Sequence, residues 1–227
     1  MVMFFPVGVN FIQPGGGGGG NDPYADNVVL FLKGEGVIGS ASIIDSSQTP
    51  KVINNNGLNP AIISGDQSRL GTSSILFNSS RLSTANSLDL ALGTGDFTAE
   101  LWLFRTGGSN LQAVIISGDW TEKGLYILES SVVYYNFGVQ ASGGPIINNQ
   151  WNHVAMSRLN GVITIFLNGI PLTSANVADN YDGLNFILGR SGNIYHDPFA
   201  GYMERVRVTK GVARYTANFN PETDTYL

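Results

Sequence analysis

The stretch Trp151-Asn-His-Val-Ala-Met-Ser-Arg-Leu-Asn-Gly-Val-Ile-Thr-Ile-Phe-Leu-Asn-Gly-Ile-Pro-Leu172 holds two Asn-Gly pairs, Asn160-Gly161 and Asn168-Gly169, each set between short apolar and β-branched runs. Asn-Gly is the preferred filling of a two-residue type I′ hairpin turn, because both central residues need positive φ and both residue types tolerate it. Two such turns in succession predict three consecutive antiparallel strands. The reading extends in both directions. Upstream, Thr98-Ala-Glu-Leu-Trp-Leu-Phe104 alternates so that Ala99, Leu101 and Leu103 share one face and Glu100, Trp102 and Phe104 the other. Bulky apolar groups on both faces predict a central strand covered on both sides. Ala113 to Ser117, Gly124 to Glu129 and Val132 to Gly138 follow as a meander, with Glu129-Ser-Ser131 as one of its turns. Val28 to Leu32 and Ser74 to Phe77 read as buried strands before it. Asn185 to Gly189 and Tyr202 to Val208 read as closing strands after it. Short strands at close intervals, separated by Gly, Asn, Asp and Ser clusters, predict an all-β, two-sheet antiparallel sandwich of the jelly-roll type.

A chain of 227 residues is long for an average domain but ordinary for one β-sandwich, and 43% hydrophobic residues suffice for one core. Charged residues make up only 13%, with a net charge of -5, about half the roughly 25% usual in globular domains. That balance argues against nucleic-acid binding, which needs a basic stripe to neutralise phosphates. The densest basic cluster, Arg205, Arg207, Lys210 and Arg214, reads as a solvated outer strand face. There is no cysteine, so disulfides and thiolate metal sites are excluded, and two histidines are too few for the usual three-ligand catalytic zinc.

The first 14 residues are apolar, with Phe4, Phe5, Val7, Val9, Phe11 and Ile12 as their bulk. Pro6, Gly8 and Asn10 interrupt them and no basic residue precedes them, so they read neither as a signal peptide nor as a membrane span. Gly15 to Gly20 follow as an unbroken glycine tract, a tether with a reach of roughly 13 Å. The expected division is an anchoring arm (1–14), a tether (15–20) and a domain (21–227). The arm is expected to dock on a neighbouring subunit by strand addition and apolar burial.

The order of several motifs resembles the laminin-G-like domains of the concanavalin A-like lectin/glucanase superfamily, of the kind found in virion proteins of tailed bacteriophages. These are Gly71-Thr-Ser-Ser-Ile-Leu-Phe77, Gly93-Thr-Gly-Asp-Phe-Thr-Ala-Glu-Leu-Trp-Leu103, the Trp151-x-His-Val-Ala segment with its Asn-Gly hairpin, and the closing Gly201 to Pro221. The resemblance implies a jelly roll and a non-enzymatic structural or adhesion role, as capsid decoration or as a tail or fibre component. The location it implies is the virion, and the partners are other virion proteins through residues 1–14, a host-surface glycan, and further copies of the same chain. It also implies that His153, Trp102 and Trp151 are structural. The alternatives are a soluble calcium-dependent lectin and a polysaccharide hydrolase.

Hydrolases need two carboxylates flanking the scissile bond, and glucanases of this fold carry them as Glu-x-Asp-x-x-Glu. That pattern is missing. Glu100 and Glu129 read as isolated acids on apolar strands, and Glu204 as a salt-bridge partner of a nearby arginine. The family's calcium site, where it exists, takes loop oxygens at one rim. Asp119, Asp179 and Asp182 are the candidate ligands. Sugar sites use exposed aromatics with amide and carboxylate partners, and the candidates are Trp120, Tyr181, Asn193, Tyr195, His196 and Asp197, all in expected loops.

Overall fold

The computed structural model describes residues 22–55, 59–118 and 122–221; the proposed arm and tether lie outside them. In chain order the strands are β1 (Val28–Leu32), β2 (Ile53–Asn54), β3 (Ile62–Ser64), β4 (Ser74–Asn78) and β5 (Leu82–Thr84). Next come β6 (Phe97–Gly107), β7 (Gln112–Ser117), β8 (Lys123–Leu128), β9 (Ser131–Tyr135) and β10 (Val139–Gly143). The last are β11 (Trp151–Leu159), β12 (Val162–Leu167), β13 (Ile170–Asn176), β14 (Phe186–Leu188) and β15 (Ala200–Lys210). They form two antiparallel sheets. One runs β13-β12-β11-β6-β15-β4-β3, with β1 added on β15; the other runs β10-β9-β8-β7-β14-β5-β2. No helix among the described residues is long and apolar enough to cross a membrane.

The two Asn-Gly turns have the expected geometry. Asn160 and Gly161 take φ of 50° and 79°, Asn168 and Gly169 take 51° and 80°, and β11, β12 and β13 pair in sequence. Asn168 adds a side-chain bond, its Oδ1 accepting the His153 N–H at 2.8 Å. The meander holds as β7-β8-β9, and gains β10, a strand whose Val139-Gln-Ala-Ser-Gly143 pattern is mostly exposed and carries no alternation to reveal it.

β6 and β15 are the longest strands and lie side by side at the centre of the eight-stranded sheet. The other edge of β15 is shared: its first half pairs with β4 and its second half with β1. The changeover coincides with a bulge between Glu204 and Arg207, where Arg205 adopts φ of 54°. Between the sheets, Leu30, Ile75, Phe97, Leu101 and Leu103 meet Ile115, Leu125, Ile127, Tyr134 and Phe186 in one continuous core. Glu100 and Trp102 face outward from the same strand and are nonetheless buried. The C-terminal segment 211–221 covers Glu100, with Tyr215 stacked on Phe219 at 3.6 Å and both rings edge-on to His153, while the Arg69 guanidinium lies over the Trp102 ring at 4.9 Å.

Candidate functional site

One network of buried charge sits under that C-terminal cover. Glu100 Oε1 accepts from Arg207 Nε and Nη2, both at 2.9 Å, while Oε2 meets His153 Nε2 at 3.2 Å and the Tyr215 hydroxyl at 2.5 Å. Arg214 bonds Asp22 through Nη1 and Nη2 at 3.0 and 2.6 Å, so the first described residue is tied into the same network. Burial alone would raise the Glu100 carboxyl. The Arg207 charge, the His153 contact and Arg214 together hold it far below the usual range. Glu100 is therefore not isolated, and Arg207 and Arg214 are not solvated. A strand face that reads as polar is buried because a later segment folds over it. Glu204 forms the expected ion pair with a nearby arginine, Arg205 at 3.9 Å, and its carboxylate also accepts three successive backbone N–H groups, from Arg69, Leu70 and Gly71, at 2.6, 2.9 and 2.8 Å. The cavity beside Glu100, Trp102 and His153 measures about 20 Å³, room for a single water and not for a sugar ring. This face is structural.

The outer face of the seven-stranded sheet is different. Residues of β8 and β9 alternate so that Leu125, Ile127, Val132 and Tyr134 enter the core, while Tyr126 and Val133 join Leu111, Ala113, Ile116 and Ile187 in a second apolar cluster outside it. Leu128 and Tyr135 pack on its margin. Segment 190–197 crosses this cluster. At one end Asn193 Nδ2 donates to Glu122 Oε1 at 2.8 Å; at the other, Asp197 receives Asn110 N and Nδ2, both at 3.3 Å, and its own N–H donates to the Leu111 carbonyl at 3.0 Å. Between these ties His196 sets its ring edge-on to Tyr126 and Tyr135, at 5.7 and 5.6 Å, and the two tyrosine rings lie 5.1 Å apart. His196 Nδ1 is 3.0 Å from Ser191 Oγ.

Two features mark this cluster as more than packing. Tyr126 is fully buried, yet its hydroxyl has no hydrogen-bond partner, a state that normally costs about 1–3 kcal/mol. Directly on the covering segment, Ile194 and Tyr195 are each 83% exposed. Burial raises the Tyr126 hydroxyl far above its ordinary value, and the Glu122 charge and Tyr135 add to this. Tyr135 is raised for the same first two reasons. Burial lowers His196, against a smaller pull from Glu122, so the imidazole is neutral at neutral pH. The assembly holds three aromatic rings, two carboxylates, two amides and an unpaired hydroxyl.

The sequence-derived candidates divide accordingly. Asn193, Tyr195, His196 and Asp197 do come together. Tyr181 does not join them: it is 1% exposed, packs on Phe97 and hydrogen-bonds Tyr134 hydroxyl to hydroxyl at 2.6 Å. It closes the end of the core because its backbone pairs with Gly93 in an isolated bridge. Asp119 and Trp120 lie outside the described residues. Tyr126, Tyr135 and Glu122 were not apparent as site residues. The available signal was the outward phase of two tyrosines on neighbouring strands.

Of the three calcium candidates, Asp179 and Asp182 lie among the described residues. Asp179 is engaged by Asn136 Nδ2 at 2.5 Å and by the Lys123 ammonium at 3.8 Å, and a cation at that distance opposes a second one. Asp182 is exposed. No group of three or more acidic, histidine or cysteine side chains converges among the described residues.

No curated protein matches the sequence. Among solved structures, domain 4 of AbnA, an extracellular arabinanase from Geobacillus stearothermophilus, solved with arabinotriose, superposes with a TM-score of 0.58 at 15% identity, over 82% of this chain and 93% of that one. The botulinum neurotoxin serotype D binding domain gives 0.54 at 14% identity, over 85% and 51%. Trypanosoma rangeli sialidase in complex with sialic acid gives 0.57 at 13% identity, over 87% of this chain and 32% of that one. At these identities the likeness is one of fold, and the chain spans only half of the toxin domain and a third of the sialidase. A laminin-G-type family model described as the concanavalin A-like lectin/glucanases superfamily matches residues 77–214, from within β4 to the start of the C-terminal cover. That match takes in more than half of the sequence, and with it the chain belongs to the concanavalin A-like lectin/glucanases superfamily.

Proposed function

We propose that this chain is a non-enzymatic glycan-binding module of a tailed-bacteriophage particle, held there by its apolar arm and reading a host-surface glycan through the outer face of the seven-stranded sheet. The observation that carries the binding role is the unpaired Tyr126 hydroxyl beneath Tyr135, His196 and the exposed Tyr195. A sugar suits this composition: where segment 190–197 shifts to admit it, its hydroxyls can satisfy the buried Tyr126 and Glu122 while its C–H face packs against the aromatic rings. Glu122 and Asp197 stand at opposite ends of segment 190–197, each held by an asparagine amide, and Glu100 and Glu204 are buried and fully engaged elsewhere. That arrangement supports binding over hydrolysis, which needs an opposed acid and base. The neurotoxin binding domain and the arabinotriose-bound arabinanase domain lend the same fold to this reading. The particle setting rests on the family resemblance and on Phe4, Phe5 and Phe11 in an apolar segment followed by six glycines.

Two experiments test the two halves. Glycan-array binding of the full chain should yield at least one specific hit that a His196→Ala, Tyr195→Ala double variant loses; an array with no hit removes the binding role. Immunogold labelling of purified particles with antibody against residues 21–227 should decorate them at regular positions. Protein found only free in the lysate removes the virion setting.

A further inference from the structure

We infer that this site, on the glycan-binding reading above, accepts uncharged sugars and rejects acidic ones, and that Glu122 is the residue that discriminates. Glu122 Oε1 is bonded to the neutral Asn193 amide at 2.8 Å, and among the described residues no cation forms an ion pair with it. Its sequence neighbour Lys123 turns to Asp179 at 3.8 Å and the Asn180 carbonyl at 3.3 Å. Arg190, at the start of the covering segment, is exposed and makes no ion pair with Glu122. At the far end of the segment stands a second carboxylate, Asp197, which accepts from the Asn110 N–H and amide. The floor between them is apolar and its tyrosine and histidine rings are neutral.

A ligand lying along segment 190–197 therefore has a carboxylate at each end, and the segment's one guanidinium, Arg190, stands at its start in no ion pair with Glu122. The arginines best suited to that task, Arg207 and Arg214, are committed to Glu100 and Asp22 on the other sheet. Charge repulsion is strengthened where water is excluded, and a like charge built against the wrong ligand is an efficient source of specificity. A neutral sugar meets the opposite situation. One of its hydroxyls can donate to the remaining Glu122 oxygen, a charge-assisted bond stronger than a neutral one, and another can pair with Tyr126. The sialic acid and arabinotriose bound by the structural neighbours are thus not equivalent guides: only the uncharged kind fits this charge pattern.

The full chain is titrated with pairs of neutral and acidic oligosaccharides: lactose and sialyllactose, galactotriose and galacturonate trimer, chitotriose and its sialylated form. In any pair that binds, the neutral member should bind at least tenfold more tightly. Glu122→Gln should narrow that ratio to below threefold, and raising salt to 1 M, where the screening length falls to about 3 Å, should narrow it in the parent protein. Equal or tighter binding of the acidic member, or a ratio unchanged by Glu122→Gln and by salt, overturns the inference while leaving glycan binding intact. Failure of every pair overturns the glycan reading itself, and the inference with it.

Discussion

Replacing Tyr126 by phenylalanine separates a binding hydroxyl from a structural one. In the free protein the hydroxyl is buried without a partner, so it stabilises nothing and carries the cost of lost hydration. Tyr126→Phe keeps the ring against His196 and Tyr135 and removes only that cost, about 1–3 kcal/mol for an unsatisfied buried group. Relaxation and denatured-state effects reduce the observable gain, so about 1 kcal/mol is a reasonable expectation. In a domain of this size that corresponds to a rise in Tm of about 2–4 °C. Glycan binding should move the other way. Loss of one net hydrogen bond of about 0.5–1.5 kcal/mol weakens affinity roughly two- to tenfold. Thermal and urea unfolding of parent and variant, followed by titration with an array-selected glycan, measures both changes. A variant that is destabilised by more than 1 kcal/mol and binds as well as the parent would show that the hydroxyl serves the fold, and would refute the reasoning.

Glu100→Gln should destabilise by about 3–5 kcal/mol at pH 7, because it leaves Arg207 and Arg214 buried with only Asp22. The folded carboxyl is depressed, so its contribution is complete above the unfolded value of about 4.3 and is lost as pH falls through the lower folded value. Urea unfolding at descending pH should show the parent–variant difference shrinking below pH ~4.3; a constant difference contradicts the network. Gly124→Ala in β8 would drive a methyl into the Ile115 carbonyl oxygen of the neighbouring strand, costing about 1–3 kcal/mol and abolishing glycan binding, as calorimetry and array binding would register. Deleting residues 1–20 should leave a folded, soluble domain that binds glycan but no longer enters particles, read by circular dichroism and by pelleting with particles. Unchanged incorporation would remove the anchor.

How far the sequence leads depends on how local the physics is. The Asn160-Gly161 and Asn168-Gly169 turns need positive φ at adjacent residues, a demand that two residues announce by themselves. The inward set Ala99, Leu101, Leu103 is equally legible, since period-2 alternation needs only the strand itself. The outward set was half legible. Alternation put Glu100 and Trp102 opposite the core, but Arg69 from an earlier loop lies over Trp102, and Glu100 is covered by Tyr215 returning over the sheet, a contact more than a hundred residues distant in sequence. The same limit applies to the site. Tyr195 and His196 stood out because loop aromatics do. Tyr126 and Tyr135 did not, because a tyrosine on a strand reads the same whether solvent or a covering segment lies above it. Tyr181 misled for the converse reason: a loop composition, Asp-Asn-Tyr-Asp-Gly, surrounds a ring that plugs the end of the core.

The most direct test of the central claim is a crystal structure of the full chain with the strongest array-selected glycan. The sugar should lie along segment 190–197, stacked against the Tyr195 or His196 ring, with a hydroxyl within about 2.5–3.0 Å of Tyr126 Oη and another on Glu122. A glycan bound at the rim near Asp179 and Asp182, or on the eight-stranded sheet, with Tyr126 still unpaired, would contradict it.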